Sequence, residues 1–303
     1  MLLIFFNHIF PYPDHPVLVY AYSFHVPAFF IVSGLLLEHT KEYERPLLTL
    51  TKNNILRLIV PYLSFETIYN VVYCFFNGFS NLGWLTWQTI TLYGAGLATL
   101  FLPVLFAAKA YLLLLKKLTQ NQLGIGIACL IPFCIAHLSG FDDSTGLWQI
   151  YIVFRTCNAI GLLWIGTLIQ KYLDRITGNS KMLVVCLAVS IIAGIGNGRV
   201  SNYSMLYRNS LLYVTAAVAG TLMLLCIGSR IKMFAPVSFF SYNSVVVLGT
   251  HQQVQYILTE MIGKTTVSDY WFPFMLLIIL SQYPIAYLIN RFAPFLLGKW
   301  YKH

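Results

Sequence analysis

The sequence predicts an all-α fold, a polytopic transmembrane helix bundle of about ten spans organised as a single domain over residues 1–303. Composition is the first observation behind this. The chain is 58% hydrophobic and 10% charged, with a mean hydropathy of +0.71. Soluble domains carry about 25% charged residues. One soluble core cannot hide that apolar surplus, so the bilayer must solvate much of it. The second observation is a series of apolar runs, at 1–10, 17–37, 55–76, 97–115, 122–138, 148–170, 182–197, 208–228, 238–258 and 271–290. The third is loop charge. With the N-terminus in the cytoplasm, the cytoplasmic side receives Lys41, Arg45, Lys52, Arg57, Lys116, Lys117, Lys171, Arg175, Lys181, Arg230, Lys232, Arg291, Lys299 and Lys302. The outer side receives only Arg199, Arg208 and Lys264, while Lys109 and Arg155 fall within spans. This positive-inside asymmetry puts both termini in the cytoplasm. It also accounts for the net charge of +9 without a nucleic-acid partner.

Taken in order, the first run is short. Ten helical residues rise about 15 Å, half of the roughly 30 Å hydrocarbon core. Either the true start lies upstream of Met1 or the first helix is a half-span, and an upstream start is the expectation. The run lacks a basic leader, so no cleavable signal peptide is expected. The second run holds Pro27, which frees a carbonyl of the preceding turn, and Ser33-Gly34, which allow close helix approach. The third opens with Lys52 and Arg57 ahead of Pro61. The outer segment 77–96 carries no charge, and Trp84, Trp87 and Tyr93 read as interfacial aromatics. Gly94-Ala95-Gly96 reads as a loop turn and Asp142-Asp143 as a solvated one. The six cysteines, Cys74, Cys129, Cys134, Cys157, Cys186 and Cys226, lie in apolar runs without CxxC spacing and read as small core residues.

Several residues could carry chemistry. His8 lies near the outer end of the first helix, where a neutral imidazole can act as a general base or simply bond a neighbouring helix. His25 precedes Pro27 and is either a site residue or part of a kinked packing helix. Lys52 and Arg57 suit an anionic, phosphate-bearing ligand arriving from the cytosol, and ordinary positive-inside anchoring would also explain them. Glu66 and Arg155 are expensive in lipid and should face the bundle interior. Glu66 could pair with Arg155, Lys109 or a histidine. The ninth run gathers Asn243, Ser244, His251, Gln252 and Gln253, more polarity than lipid packing needs, as expected of a cavity-lining helix. The chain has no HExxH motif and too few intramembrane carboxylates for a cation cage, so metal catalysis is not expected. It has no P-loop, no GxGxxG after a strand and no GxSxG elbow.

The pattern resembles the acyltransferase-3 family of integral membrane O-acyltransferases, in its sugar- and polysaccharide-modifying bacterial branch, whose members include fucose acetylase-like enzymes. Asn7-His8 is similar to the end of the family's first helix, where a catalytic histidine sits. Phe24 to Gly34 resembles its most specific block, Phe-His-x-Pro-x-Phe-Phe-x-x-Ser-Gly. Arg57 to Tyr62 resembles Arg-Leu-x-x-Pro-Tyr at the start of the third helix. Leu100 to Phe106 is similar to its Trp-Phe-Leu-Pro segment. Ser244 to Gln252 resembles the Asn-Ser-x-x-x-Leu-Gly-x-His block of the ninth helix. Two departures stand out. The family's basic residue upstream of the first histidine would here precede Met1, which matches the expectation of an upstream start. Asn54 stands where the third helix often carries another Arg.

The resemblance implies acyl transfer, acetyl being the expected group. The donor would be cytosolic acyl-CoA, a co-substrate and not a resident cofactor. The acceptor would be a sugar hydroxyl of a glycan, exopolysaccharide or lipopolysaccharide precursor, in a bacterial inner membrane. His8 would be the general base or a transient acyl carrier, with His25 also catalytic. Lys52, Arg57 and Lys109 would hold the CoA phosphates, and Glu66, Arg155, Asn243 and His251 would orient the acceptor. A glycan-lipid transporter or flippase, or a non-catalytic scaffold of a polysaccharide synthesis complex, would share the helical layout without consuming thioester.

Overall fold

A computed structural model describes residues 2–92, 98–139, 148–232 and 234–299. Tyr93, Gly94-Ala95-Gly96, Asp142-Asp143 and Lys302 lie outside the described residues. The helices are α1 (Leu2–Ile9), α2 (Pro16–His39), α3 (Leu47–Asn54), α4 (Val60–Asn77), α5 (Leu82–Ile90), α6 (Phe101–Leu118), α7 (Gln122–Leu138), α8 (Trp148–Gln170), α9 (Leu173–Thr177), α10 (Ser180–Asn197), α11 (Ser210–Gly228), α12 (Ala235–Tyr242), α13 (Ser244–Ile262), α14 (Lys264–Asp269) and α15 (Trp271–Phe292). No strand occurs among the described residues, and the fold is an all-α helix bundle of a membrane protein. Seven helical stretches among them are long and apolar enough to cross a membrane.

The apolar runs become helices close to their expected ends, and three differences have physical causes. The run expected at 55–76 belongs to a helical stretch covering Leu47–Asn77. It contains a π-helical turn, Ile55–Ile59. Pro61 has no N–H to give back to the Arg57 carbonyl, and its ring would crowd that oxygen. The helix widens just before it, and the Val60 N–H reaches back to the Ile55 carbonyl. The run expected at 238–258 is broken at Asn243 into α12 and α13. There the Asn243 side-chain amide donates to the Phe239 carbonyl at 2.9 Å, ending α12 with a side-chain bond. The segment read as an uncharged outer loop holds a short helix, α5, with Trp84 and Trp87 exposed and Leu85 buried. Cys134 is exposed on α7, unlike the buried Cys74, Cys129, Cys186 and Cys226.

The chain divides into two compact units. One comprises Met1–Pro13, Lys52–Pro103 and Met233–His303; the other comprises Asp14–Thr51 and Val104–Lys232. The second unit is built on α2, against which α8, α10 and α11 pack, with α7 on α8. His15 caps α2 by accepting from the Val17 N–H at 3.3 Å, and Pro16 starts the helix where no N–H is required. Asn121, Asn179 and Asn209 cap α7, α10 and α11 in the same way. Two glycines set the α2–α8 spacing reciprocally. A Cβ on Gly34 would overlap the Leu163 carbonyl, and one on Gly166 would overlap the Ile31 carbonyl. This is the small-residue approach expected from Ser33-Gly34.

The first unit is built on α13, which packs against α1, α4 and α15. Phe5 and Ile9 of α1 are buried with Val247 and Ile278, and Phe65 with Val246, Ala286 and Leu297. Gly249 lies against the Phe65 ring, where any Cβ would clash. The segment Pro294–Leu297 ends at Gly298, which has φ +65 and rests on the Leu56 carbonyl of the π turn. Both the positive φ and the missing Cβ are needed at that spot.

Gly34→Ala is expected to destabilise the protein by about 1–3 kcal/mol through overpacking of backbone on backbone. A lowered thermal midpoint in detergent checks this. An unchanged midpoint would mean that α2 and α8 slide apart at no cost.

Candidate functional site

Three helices of the first unit converge on an imidazole pair. On α1, Phe5 and His8 are one turn apart and share a face. His251 of α13 meets both: its ring centroid is 5.6 Å from that of Phe5, edge-on, and 5.3 Å from that of His8, tilted by 51°. The outer side of α1 is held differently. Phe6 and Phe10 stack at 4.7 Å, and both meet Trp271 edge-on. These aromatic contacts anchor α1 within the unit.

Hydrogen bonds fix the two rings. The His8 carbonyl, one of the unpaired acceptors at the end of α1, takes a bond from the Gln255 side-chain amide at 2.7 Å. The Gln252 amide stands 3.2 Å from His8 Nδ1. Its oxygen accepts the backbone N–H of Ala98, at the start of the turn Ala98–Leu100. His251 Nδ1 is 2.7 Å from the Val247 carbonyl one turn back on its own helix. His251 Nε2 is buried and has no hydrogen-bond partner among the described residues.

Glu66 joins the same network from α4. Its side chain is fully buried, and Thr99 donates its hydroxyl to Oε1. Oε2 has no partner among the described residues, and no ion pair there involves Glu66. Thr99 and Ala98 are adjacent, so one turn of chain carries both the Glu66 contact and the Gln252 contact. Deeper on α13, Gln253 donates to the Phe65 carbonyl at 2.8 Å, and Thr250 meets Gln282 of α15 at 2.7 Å. The polar stripe of α13 is thus consumed by its three neighbours and by the imidazole pair.

Of the residues singled out in the sequence, His8, His251 and Glu66 come together in this network. Asn243 does not. It precedes His251 by about 12 Å of helical rise, bonded to Asn290 at 2.8 Å beside a cleft of about 430 Å³ that Tyr283 and Arg291 also line. Lys52 and Arg57 are in this unit too, both exposed, Arg57 within the π turn. π turns recur at functional sites.

The remaining three belong to the second unit. His25 is buried, with Nδ1 2.9 Å from the Ala21 carbonyl and its ring against Tyr22 at 5.1 Å. Lys109 forms an ion pair with Glu42 at 2.8 Å, parallel to Lys116 and Glu38 at 2.7 Å. Arg155 is buried, donates Nε–H to the Tyr203 carbonyl at 2.8 Å and stacks over the Tyr203 ring at 4.4 Å.

Sequence reasoning passed over Thr99, Gln255 and Gln282. Gln255 was discoverable, because it lies one helical turn beyond His251 and shares its face. Nothing in the sequence around Thr99 marks it. A second polar cluster, in the second unit, was also missed. His137 lies between Ser210 Oγ at 3.1 Å and Asn158 Oδ1 at 3.0 Å, and Asn158 donates to the Tyr213 hydroxyl at 3.1 Å. Every member of that chain has a partner, as a packing network requires.

The model of the acyltransferase-3 family, described as an acyltransferase domain, matches residues 1–291. No curated protein and no solved structure matches the chain.

Thr99→Val removes the one hydroxyl that the described residues offer to the buried Glu66 carboxyl. A cost of about 1–3 kcal/mol is expected for the orphaned group, and Glu66→Leu in the Thr99→Val background should recover part of it. Thermal melts of the two variants check both. A Thr99→Val protein as stable as the parent would assign the solvation of Glu66 to something else.

Proposed function

The chain belongs to the acyltransferase-3 family, and from that premise we propose that it transfers an acyl group, acetyl by expectation, from cytosolic acyl-CoA to a sugar hydroxyl. The acceptor class is a glycan, exopolysaccharide or lipopolysaccharide precursor, and the setting a bacterial inner membrane with both termini cytoplasmic. The imidazole pair of His8 and His251 is the observation that carries this reading. Acyl transfer to a hydroxyl needs a group to take the hydroxyl proton and a donor to the oxygen of the tetrahedral intermediate. Two neutral imidazoles in a water-poor interior can supply one function each. Helix walls and two glutamine amides hold them in place.

Lys52 and Arg57 are the groups proposed for the CoA phosphates. Both are exposed, and neither has an acidic partner among the described residues. Lys109 is the weaker candidate, since Glu42 already neutralises its ammonium. Glu66 and His251 line the reacting centre in this reading. Arg155 and Asn243 are expected to act on the acceptor, and His25 to support the reaction from its own helix. The positive-inside loop pattern supports the orientation, because it gives the cytoplasmic face the basic residues that a cytosolic anion would meet.

His8→Ala is expected to lower transfer by about 10²–10⁴, the usual cost of losing one proton-transfer or oxyanion-stabilising group, in a protein that still inserts and melts normally. CoA release from radiolabelled acetyl-CoA by purified protein measures this. A stable variant with the parent rate would remove His8 from the mechanism. Arg57→Ala is expected to raise KM for acetyl-CoA about tenfold, one lost charge-assisted bond, with kcat little changed. An unchanged KM would leave Arg57 as a membrane anchor only.

A further inference from the structure

The hydrogen-bond polarity around the imidazole pair distinguishes its two members. A backbone N–H donates and cannot accept. Ala98 N–H therefore faces the oxygen of the Gln252 side chain, and the Gln252 –NH₂ faces His8. His8 Nδ1 must then be an acceptor, which leaves the ring proton of neutral His8 on Nε2. The opposite holds at His251. A carbonyl only accepts, so the Val247 oxygen requires the proton on His251 Nδ1. The lone pair of His251 is on Nε2, the buried atom with no partner among the described residues. His8 thus presents an N–H and His251 presents a bare nitrogen, with ring centroids 5.3 Å apart.

We propose that His251 Nε2, and not a nitrogen of His8, accepts the proton of the acceptor hydroxyl, while His8 donates its Nε2–H to the oxygen of the thioester carbonyl. The assignment rests on the acyl-transfer reading. As the hydroxyl oxygen bonds to the thioester carbonyl carbon, its O–H bond breaks and the proton moves to His251 Nε2. The carbonyl π electrons move onto oxygen, against the His8 N–H. Collapse of that intermediate breaks the C–S bond, and His251 returns its proton to the departing CoA sulfur. The products are the ester and the free thiol, with both imidazoles restored. Gln252 is a positioning residue in this scheme, because it sets the His8 tautomer through Ala98. Phe5 and Val247 hold the His251 ring in the orientation that keeps Nε2 bare.

Glutamine separates the two roles, since its amide donates a hydrogen bond but takes up no proton. The experiment uses the purified full chain in detergent and follows CoA thiol release from acetyl-CoA with water as acceptor. His251→Gln is expected to lose about 10²–10⁴ in kcat, the range of general-base catalysis, with KM and thermal midpoint retained. His8→Gln is expected to retain activity within about tenfold of the parent, because a donor remains. The reverse ranking, a crippled His8→Gln beside a nearly normal His251→Gln, overturns the proposal and returns the base to His8.

Gln252→Glu gives a second route if either glutamine variant fails to fold. Its carboxylate still accepts the Ala98 N–H but draws the His8 proton to Nδ1, removing the Nε2 donor. A rate loss of about 10²-fold is expected, and a rate equal to or above the parent overturns the proposal. Imidazole ¹⁵N spectra of histidine-labelled protein read the tautomers without turnover, and should show a bare Nε2 at His251 and a protonated Nε2 at His8. The opposite pair of tautomers also overturns the proposal. A folded parent protein that releases no CoA but shows the expected tautomers overturns the acyl-transfer reading and the proposed roles with it, leaving the hydrogen-bond polarity intact.

Discussion

Ala98 offers one backbone N–H to the interior of the first unit, and that group has only one way to bond. It fixes which end of the Gln252 amide points where, and so the tautomer of His8. The same turn presents the Thr99 hydroxyl to Glu66. One backbone N–H and the hydroxyl beside it thereby organise side chains from α1, α4 and α13. In an interior poor in water, this directionality matters more than the strength of any single bond, because an unmatched donor or acceptor finds no alternative partner. The imidazole pair depends on a backbone that has no side-chain chemistry of its own.

The two units solve the problem of helix association in different ways. In the second, helices approach through glycine, with Gly34 and Gly166 admitting the partner backbone. Apolar side chains gain little from associating when lipid is as apolar as they are, so close backbone contact supplies the attraction. In the first unit, α13 is held by amides: Gln252 and Gln255 reach α1, Gln253 reaches α4, and Thr250 reaches Gln282 of α15. Such a helix is poorly lipophilic, and its polarity is tolerated because most of these groups are matched within the unit. The atoms left over, His251 Nε2 and Glu66 Oε2, are the ones with chemistry to offer.

Much of this was legible in the residues. The apolar runs marked the long helices because spanning length and low charge are properties of a segment by itself. Ser33-Gly34 announced a close approach, and the cluster from Asn243 to Gln253 announced a helix that does not face lipid. The pairing of His8 with His251 was not legible, because it joins the two ends of the chain and no local pattern records such a contact. Nor was the ion pair of Lys109 with Glu42: that lysine suggested a ligand site because it was read without its acidic neighbour on the loop after α2. The break at Asn243 was hidden because its polarity was read as part of one cavity-lining helix, and hydropathy does not register a side-chain amide that bonds its own preceding turn.

A π turn winds one residue more into each revolution than its flanking α-helix, so it acts as a phase shift written into a continuous rod. At Ile55–Ile59 the shift lies between the exposed Lys52 and the buried face that carries Tyr62 and Glu66. With Pro61 fixing its downstream edge, the extra residue has nowhere to relax except into the wide turn itself. Removing one residue from that turn would leave α4 docked on α13 while swinging Lys52 to Asn54 about 100° around the helix axis. The direction in which Lys52 points is therefore set by the count of residues ahead of a proline, and not by any contact that Lys52 makes.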